Sequence, residues 1–524
     1  MRRTCSLSIL ARPAQRCALS TGTGQWSRRL PPGFSMTKIV ATIGPVSEQA
    51  APLQQCVDAG MNIMRINCSH ATYDEIEMRV KNLRDAKGIS AKRLDGKPSY
   101  ALQQSPANNR SILLDTQGPE IRTGFLAPDL GDTVELTQGS QITLTTDDAY
   151  KHASTAETLF VTFDKMAETV EAGDSVLLDD GLISLEVLEV RGDNEVLCCV
   201  TDGGALESKR GVNLPGLTVD LPAMSDKDRE DIRFGLELDI DFVAASFIRK
   251  AADVNEVRDF VDKAWKQIWH GHENRPPPQI ISKVENAEAL DNFDEILHAS
   301  DGIMVARGDL GVEIPFEKVS TAQKEMVRKC NAHGKPVIVA TQMLESMQHN
   351  PRPTRAEVAD VANAVYDGAD CVMLSGESAK GKYFQESIAA MKACILEADH
   401  WPQHNRGVPA EHIEAVDTGM LNEMAAVQPD GNVHGMAASA VKAADTIGAA
   451  CIIVLTKSGS TARYVAQCRP NVPIVAFTCK LNSIRARFRY PDLYAFQHNC
   501  AQSAFVRANF PSKICTLSLF PLYR

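Results

Sequence analysis

"GIMVARGDLGVEI", residues 302–314, begins as a short apolar run and then turns, within two positions, to an arginine, a glycine and an aspartate. An apolar run of this length is typical of a β-strand that is buried on both faces of a parallel sheet. A carboxylate at the end of such a strand costs several kcal/mol when buried unless a cation meets it. Asp309 therefore indicates that this strand ends at a polar site whose other members come from elsewhere in the chain.

Apolar, β-branched runs of the same kind recur along the chain, and each stops at polar or glycine residues. Eight runs are present, namely KIVATIG, NIMRINCS, SILLDTQG, DFVAASFI, IISKVEN, IMVARGD, VIVATQM and CVMLSGE. They end near Gly44, Ser69, Gly118, Ile248, Asn286, Asp309, Met343 and Glu377. Segments with helical apolar spacing separate most of them. This alternation predicts an α/β fold in which eight parallel strands close into a (β/α)8 barrel of the TIM type.

Two further regions depart from the barrel pattern. Residues 119–219, after the third strand, read as short alternating strands with turn signals, which predicts an inserted small β-barrel domain that acts as a lid over the barrel mouth. The catalytic barrel then comprises residues 36–118 and 220–400. Residues 401–524 contain a helix, strand, helix, strand series, which predicts a C-terminal α/β domain that becomes atypical after about residue 478.

The first 35 residues have a composition of their own, with arginine, serine and threonine and no aspartate or glutamate. This is typical of an organelle targeting peptide. We expect import into mitochondria, with a plastid or the cytoplasm as alternatives. A disordered tail that carries no address is the other interpretation of this segment.

Charge and cysteine content exclude several classes of protein. The net charge of -11 argues against a nucleic-acid-binding surface, which needs clustered Lys and Arg. No apolar stretch reaches the roughly 18 residues that would predict a membrane span. The 14 cysteines show no C-x-x-C spacing, so free thiols are expected instead of a zinc or redox site.

Polar residues at the strand ends predict the chemistry, because the carboxyl ends of barrel strands meet at one mouth. Side chains alternate along a strand, so Lys283 and Glu285 face the same side. Glu285 and Asp309 offer the hard oxygen ligands that Mg²⁺ prefers. Taken pair by pair, a structural salt bridge between Lys283 and Glu285 is the favoured interpretation, but the agreement of all eight strand ends reverses this preference. The other candidates at the mouth are Arg65, Asn67, Ser69, Asp115, Arg122, Thr341 and Ser375.

At these residues the sequence closely resembles the pyruvate kinase family. The motifs TKIVATIGP, MRINCSH, LDTQGPEIRTG, SKRGVNLPG, ISKVEN, DGIMVARGDLGVEIP, KPVIVATQMLESM and MLSGESAKG run in the family's order over about residues 36–400. The resemblance implies the same barrel, inserted domain and C-terminal domain. It also implies transfer of the phosphoryl group of phosphoenolpyruvate to ADP, which gives pyruvate and ATP, and it implies a homotetramer.

The resemblance also implies roles for individual residues. Glu285 and Asp309 would hold Mg²⁺ or Mn²⁺, and Lys283 would face the transferring phosphoryl group. Catalysis is assigned to Lys283, Thr341 and Arg65, and substrate binding to Arg65, Lys283, Gly308, Asp309, Thr341 and Ser375. Asn67, Ser69, Asp115 and Thr116 match the family's K⁺ site. Asn67, His70, Arg122 and Arg210 match positions that approach the nucleotide.

The C-terminal domain departs most from the family. The stretch LTKSGSTAR resembles the family's effector phosphate loop, which implies an anion site at Thr456, Lys457, Ser458, Gly459, Ser460 and Thr461. Beyond about Thr478 the family's final strands are not recognisable. Two rivals are therefore considered, an enolate-forming lyase or aldolase on a similar barrel, and a catalytically impaired regulatory or scaffold protein. The intact set Lys283, Glu285, Asp309 and Thr341 argues against the second.

Overall fold

The computed structural model describes residues 35–93, 100–105, 108, 110–270, 276–404, 431–449, 451–456, 460–470, 472–478, 493–497 and 515–517. The expected targeting peptide lies outside these residues except for Ser35. The same holds for Lys457, Ser458 and Gly459 of the expected effector loop, and for most of the chain after Thr478. Within the described residues, no helix has the length and apolar character needed to cross a membrane.

Eight parallel strands form a closed barrel, as the sequence predicts. Labels follow chain order, and the omitted numbers belong to the strands described below. The barrel strands are β1 (Lys38–Thr42), β2 (Ile63–Asn67), β5 (Ser111–Asp115), β14 (Phe242–Ala245), β15 (Gln279–Val284), β16 (Gly302–Ala306), β17 (Val337–Ala340) and β18 (Cys371–Leu374). Each predicted run overlaps one of them, and β15 and β16 begin one residue before their runs. Neighbours in the chain are neighbours in the barrel, and β18 closes it against β1.

The barrel strands are mostly apolar on both faces because each face packs against a different layer. In β16, Ile303 and Val305 belong to the core between strands and helices. Met304, between them, belongs to the cluster that fills the barrel interior. The alternation of side chains along a strand divides the residues between these two cores. This explains why the runs are mostly apolar, with charged residues such as Arg65 and Lys283 placed towards the carboxyl ends of their strands.

Helices follow the strands and cover the outside of the barrel. They are α1 (Ala50–Ala59), α2 (Tyr73–Asp85), α4 (Asp226–Glu237), α5 (Ala251–Ile268), α6 (Ala287–Asp291), α7 (Phe293–Ala299), α8 (Arg307–Glu313), α9 (Phe316–His333), α10 (Arg355–Asp367), α11 (Gly376–Ala379) and α12 (Phe384–His404). Capping boxes at Thr72, Ser225 and Thr354 start α2, α4 and α10 by satisfying free backbone N–H groups.

The inserted segment lies between β5 and α4 and is built from short strands, with one helical turn, α3 (Met166–Thr169). Its strands are β6 (Thr133–Leu136), β7 (Gln141–Thr145), β8 (Thr158–Phe160), β9 (Ser175–Leu178), β10 (Ile183–Arg191), β11 (Glu195–Asp202), β12 (Gly204–Glu207) and β13 (Val212–Asn213). They form a six-stranded sheet and a two-stranded sheet around an apolar core of their own. A separate hairpin, β3 (Gly88–Arg93) with β4 (Tyr100–Ser105), was not predicted from the sequence.

The C-terminal region contains α13 (Gly431–Ile447), α14 (Ser460–Gln467) and a four-stranded parallel sheet, so the predicted α/β domain is confirmed. Two of its strands are the predicted ones, β19 (Ile452–Leu455) and β20 (Ile474–Thr478). The other two, β21 (Leu493–Gln497) and β22 (Cys515–Leu517), flank them. The structure thus places two strands after Thr478, where the sequence analysis recognised none. The sequence analysis did not recognise these two strands because no local pattern marks them. Their places in the sheet are set by pairing with β19 and β20.

Candidate active site

A cleft of about 650 Å³ opens between the carboxyl ends of the barrel strands and the inserted domain. Predicted site residues from both domains line it: Arg65, Asn67, Ser69, His70, Thr116, Arg122, Arg210, Lys283, Glu285 and Asp309. Asp115 lies beneath them and is fully buried. Gly308, Thr341 and Ser375 do not belong to the lining of this cleft, although Gly308 adjoins Asp309 directly.

A buried ion network lies at the centre of the cleft floor. The Lys283 ammonium contacts Glu285 Oε1 at 2.8 Å and Asp115 Oδ1 at 3.2 Å. Burial alone would lower the pKa of Lys283, but Asp115, Glu285 and Asp309 raise it above its usual value. Lys283 therefore carries a positive charge at neutral pH, as a group that faces a phosphoryl anion must.

Arg65 is oriented by two neighbouring strands. Its Nε donates to Asp115 Oδ2 at 2.6 Å and its Nη1 donates to Thr42 Oγ1 at 2.9 Å. Burial works to raise the pKa of Asp115, but Arg65 and Lys283 hold it below its usual value. Asp115 is therefore an anion that fixes two cations in place, and Arg65 lines the cleft.

The two candidate metal ligands differ in how they are held. Glu285 Oε2 accepts a hydrogen bond of 2.6 Å from the Phe247 N–H. Burial raises the pKa of Glu285 to about 7, a rise that Lys283 opposes and Asp309 increases. Asp309 lies in the first turn of α8, not at the end of β16, because the strand stops at Ala306. Among the described residues its carboxylate forms no hydrogen bond or ion pair.

These observations fit a divalent cation between Glu285 and Asp309. The Asp309 carboxylate is close enough to raise the pKa of Glu285, an effect that a shared cation would relieve. Within the part of the chain that the structure describes, no group of three or more His, Cys, Asp or Glu side chains is arranged to hold a metal. Mg²⁺ commonly takes only one or two carboxylates and completes its shell with water and substrate oxygens.

The expected K⁺ ligands lie on two adjacent strands. Asn67 in β2 and Asp115 in β5 are register partners, so their side chains stand side by side. Asn67 Oδ1 accepts a hydrogen bond of 3.1 Å from the Ser69 N–H. Thr116 is buried and its hydroxyl approaches Ala244 O at 3.3 Å. The donor set is made of oxygens, which suits a hard monovalent cation.

Thr341 is held in an uncommon conformation next to α8. Its φ is 71° and that of Gln342 is 53°, both in the left-handed region. Thr341 Oγ1 accepts a hydrogen bond of 2.7 Å from the Gly308 N–H. Arg307 donates to Thr341 O at 2.7 Å and pairs with both oxygens of Asp360. Strained backbone of this kind clusters at functional sites.

The nucleotide candidates come from both walls of the cleft. Arg122 and Arg210 belong to the inserted domain, where Arg122 pairs with Glu120, and Arg210 pairs with Asp179 at 3.2 Å and with Glu207. Burial and three nearby cations lower the pKa of His70, so its imidazole is neutral at pH 7.

Ser375 and the described residues of the expected effector loop lie outside the cleft. The Ser375 N–H donates a hydrogen bond to Glu377 Oε2. Thr456 and Ser460 flank the part of the effector loop that the structure does not describe.

The sequence analysis missed Ser246 as a member of this network. Its hydroxyl accepts a hydrogen bond of 2.8 Å from Lys283 Nζ and donates to Thr116 O at 2.7 Å. It lies just past the end of β14, in the run DFVAASFI, so the rule that polar strand ends meet at one mouth would have found it. Phe247 and Arg307 gave no such signal, because they act through a backbone N–H or through other residues.

Comparison with known proteins agrees with this site. The family model "Pyruvate kinase, barrel domain" matches residues 34–388, and "Pyruvate kinase, alpha/beta domain" matches residues 434–513. A pyruvate kinase of Hypocrea jecorina is 39% identical over 513 residues, 97% of this chain and 88% of the relative. Pyruvate kinases of Bacillus licheniformis and of Staphylococcus aureus strain MRSA252 are 42% and 41% identical, over 84% of this chain and 68% of each relative. The match to the family model of the alpha/beta domain continues to residue 513, although the similarity was expected to fade after about residue 478.

Proposed function

The chain belongs to the pyruvate kinase family and transfers the phosphoryl group of phosphoenolpyruvate to ADP, and we propose that its own Lys283, Glu285 and Asp309 carry this transfer. The observation that supports these roles is the network in which a charged, buried lysine lies against Glu285 and near an unpaired Asp309. Phosphoryl transfer needs positioning and charge neutralisation more than a protein nucleophile.

Pyruvate kinases need a divalent cation and K⁺, and we propose where each binds in this chain. Glu285 and Asp309 hold Mg²⁺ or Mn²⁺, and Asn67, Ser69, Asp115 and Thr116 hold K⁺. When bound, the divalent cation supplies positive charge that polarises the phosphoryl oxygens and stabilises the enolate oxygen.

The remaining steps rest on the chain's own side chains. Lys283 and Arg65 bind the phosphoryl group of phosphoenolpyruvate and neutralise charge as it moves to ADP. Arg122 and Arg210 orient the nucleotide phosphates from the inserted domain, and His70 and Asn67 do so from the barrel side of the cleft. Substrate binding is also proposed for Gly308, Asp309, Thr341 and Ser375, of which Asp309 lines the cleft and Gly308 adjoins it. Thr341, whose hydroxyl is bonded to the Gly308 N–H, is proposed to pass a proton, through water, to the carbon of the enolate that remains.

The test is pyruvate production by purified residues 36–524 with phosphoenolpyruvate, ADP, Mg²⁺ and K⁺, followed through NADH oxidation by lactate dehydrogenase. We expect turnover that disappears when ADP is left out. Lys283→Met should abolish it while leaving thermal unfolding cooperative. A folded, unsubstituted chain without turnover would favour the regulatory or scaffold alternative, for which no present observation speaks.

We also propose that residues 1–35 direct the chain to mitochondria, on the strength of their arginine-rich composition without acidic residues. Fusion of these residues to a fluorescent protein should give a mitochondrial pattern, whereas plastid or diffuse cytoplasmic fluorescence would select one of the alternatives.

Binding of an anionic effector at Thr456–Thr461 is a further proposal, which rests on the resemblance of the loop. It predicts that fructose 1,6-bisphosphate lowers the half-saturating concentration of phosphoenolpyruvate.

A further inference from the structure

One short loop supports both crossings of the chain between the barrel and the inserted domain. We call residues 246–250, which connect β14 to α5, the 246–250 loop. On the outgoing crossing, Gly118 has a φ of 80° and lies against this loop. A Cβ at position 118 would lie 2.7 Å from the ring of Phe247 and 2.7 Å from Ser246 Cβ. Only glycine allows so close an approach in this conformation.

The returning crossing is bound to the same loop by Arg249. One guanidinium nitrogen of Arg249 donates to Val219 O at 2.6 Å and another donates to Leu221 O at 2.5 Å. Arg249 is buried, and Asp253 Oδ2 accepts from both its backbone N–H and its Nε. A planar guanidinium bonds two carbonyls at once, which the single ammonium of a lysine does less well.

The same loop also reaches the reacting groups. Ser246 Oγ lies 2.8 Å from Lys283 Nζ, and the Phe247 N–H lies 2.6 Å from Glu285 Oε2. Phe247 has a φ of 54°, a strained conformation for a bulky residue that the surrounding contacts must maintain. The contacts that hold the inserted domain and those that hold Lys283 and Glu285 therefore both come from the 246–250 loop.

From this arrangement we infer that Arg249 is a positioning residue that sets where the inserted domain stands over Lys283 and Glu285. The inference rests on the proposed function, since the inserted domain matters to it by bringing Arg122 and Arg210 to the nucleotide. A misplacement of about 1 Å costs up to about 100-fold in rate when two reactants must be aligned. Loss of the bonds between Arg249 and the returning crossing should thus impair the reaction with the nucleotide far more than the binding of phosphoenolpyruvate, which contacts the barrel.

The test variant is Arg249→Lys, which keeps the charge beside Asp253 and removes the two-carbonyl contact. We expect kcat/KM for ADP to fall about tenfold or more, while the dissociation constant of phosphoenolpyruvate, measured without nucleotide, stays within twofold. The matched control is Arg258→Lys in α5, the helix that follows the 246–250 loop. Arg258 binds Ala299 O and Asp301 in a similar way, but among the described residues it does not contact either crossing between the barrel and the inserted domain. Its replacement should therefore leave ADP kinetics unchanged.

A second measurement does not depend on turnover. Amide hydrogen exchange of residues 219–221 should become at least about tenfold faster in Arg249→Lys and stay unchanged in Arg258→Lys. Absence of turnover in the unsubstituted chain would contradict the proposed function, whereas unchanged exchange would contradict the inference. Unchanged ADP kinetics, or equal losses for ADP and phosphoenolpyruvate, would also overturn it. Should Arg249→Lys not fold, Asp253→Asn decides, with a smaller loss expected in kcat/KM for ADP.

Discussion

At the scale of single residues, the role of Asp309 is inferred from the bonds that its carboxylate lacks among the described residues. Among the described residues it has no hydrogen bond or ion-pair partner, although it acts on the pKa of both Lys283 and Glu285. Lys283 is already bonded to Asp115, Glu285 and Ser246. These contacts support the proposal that Asp309 is an oxygen ligand for a cation, because a lysine partner alone does not account for it.

Replacing Asp309 by asparagine should separate this role from folding. We expect Asp309→Asn to reduce turnover by about 10²- to 10³-fold, the range that is typical when one preorganised electrostatic group is removed from a reacting centre. The free energy of unfolding should change little, because no structural contact is lost. Glu317→Gln, an exposed acid in the first turn of the next helix, is the control. Turnover close to that of the unsubstituted chain would refute the metal role.

Potassium dependence tests the oxygens of Asn67, Ser69, Asp115 and Thr116. Turnover should rise steeply when K⁺ is added to a buffer free of Na⁺ and K⁺, because a cation among these oxygens would add positive charge beside Arg65 and Lys283. The measurement is the initial rate at constant ionic strength, with tetramethylammonium as the replacing cation. Equal rates with and without K⁺ would rule out this assignment.

At the scale of elements, α12 holds the first described residues of the chain against the barrel. Asp399 accepts a hydrogen bond of 2.7 Å from the Met36 N–H, and Lys392 donates to Ser35 Oγ at 2.5 Å. Burial, together with Lys38, lowers the pKa of Lys392 to about 8. The helix therefore carries one ammonium group whose charge opposes folding at neutral pH.

The pH dependence of this cost follows from proton linkage. The folded chain favours the neutral amine, so between pH 8 and about 10.5 the unfolded chain binds more protons and stability rises with pH. Below pH 8 both states are charged and the cost is complete. Lys392→Met should therefore raise the free energy of unfolding at pH 7 by about 1–3 kcal/mol, with a gain that shrinks towards pH 10. Denaturant unfolding at several pH values measures it, and exposed Lys263→Met should show neither effect.

At the scale of the whole molecule, three large apolar side chains on neighbouring helices remain exposed. Phe316 at the start of α9 is 83% exposed, and Tyr366 and Val358 on α10 are 48% and 38% exposed. Contiguous exposed apolar surface marks sites of interaction, and these three side chains are candidates for such a surface. We propose that such surfaces join four copies of the chain, as the resemblance to the family implies.

Sedimentation velocity should give a mass of about four times the 57.1 kDa of one chain. Tyr366→Asp should shift the distribution to smaller species, because a charge would then be buried at the contact. Glu386→Asp, on α12, should leave it unchanged. A single species with the mass of one chain would contradict the tetramer.

The sequence by itself determined the eight strands, their parallel alternation with helices, the inserted and C-terminal domains, and the polar strand ends at one mouth. These properties follow from local periodicity, which each segment carries independently of the others. Glu285 could be paired with Lys283 because side chains two residues apart face the same side of a strand. The unexpected hairpin β3 and β4, and the late strands β21 and β22, lacked a local signal of this strength.

Only the tertiary structure decided which groups those strand ends meet. Ser246 bonds Thr116 across 130 positions of the chain, and Arg249 reaches Val219 across 30. The shift of Asp309 from a strand end to a helix turn is likewise a matter of where β16 stops against its neighbours. Such contacts depend on the closure of the barrel and on the return of the inserted domain. Sequence periodicity describes one segment at a time, whereas the position of the inserted domain over Lys283 depends on bonds between segments.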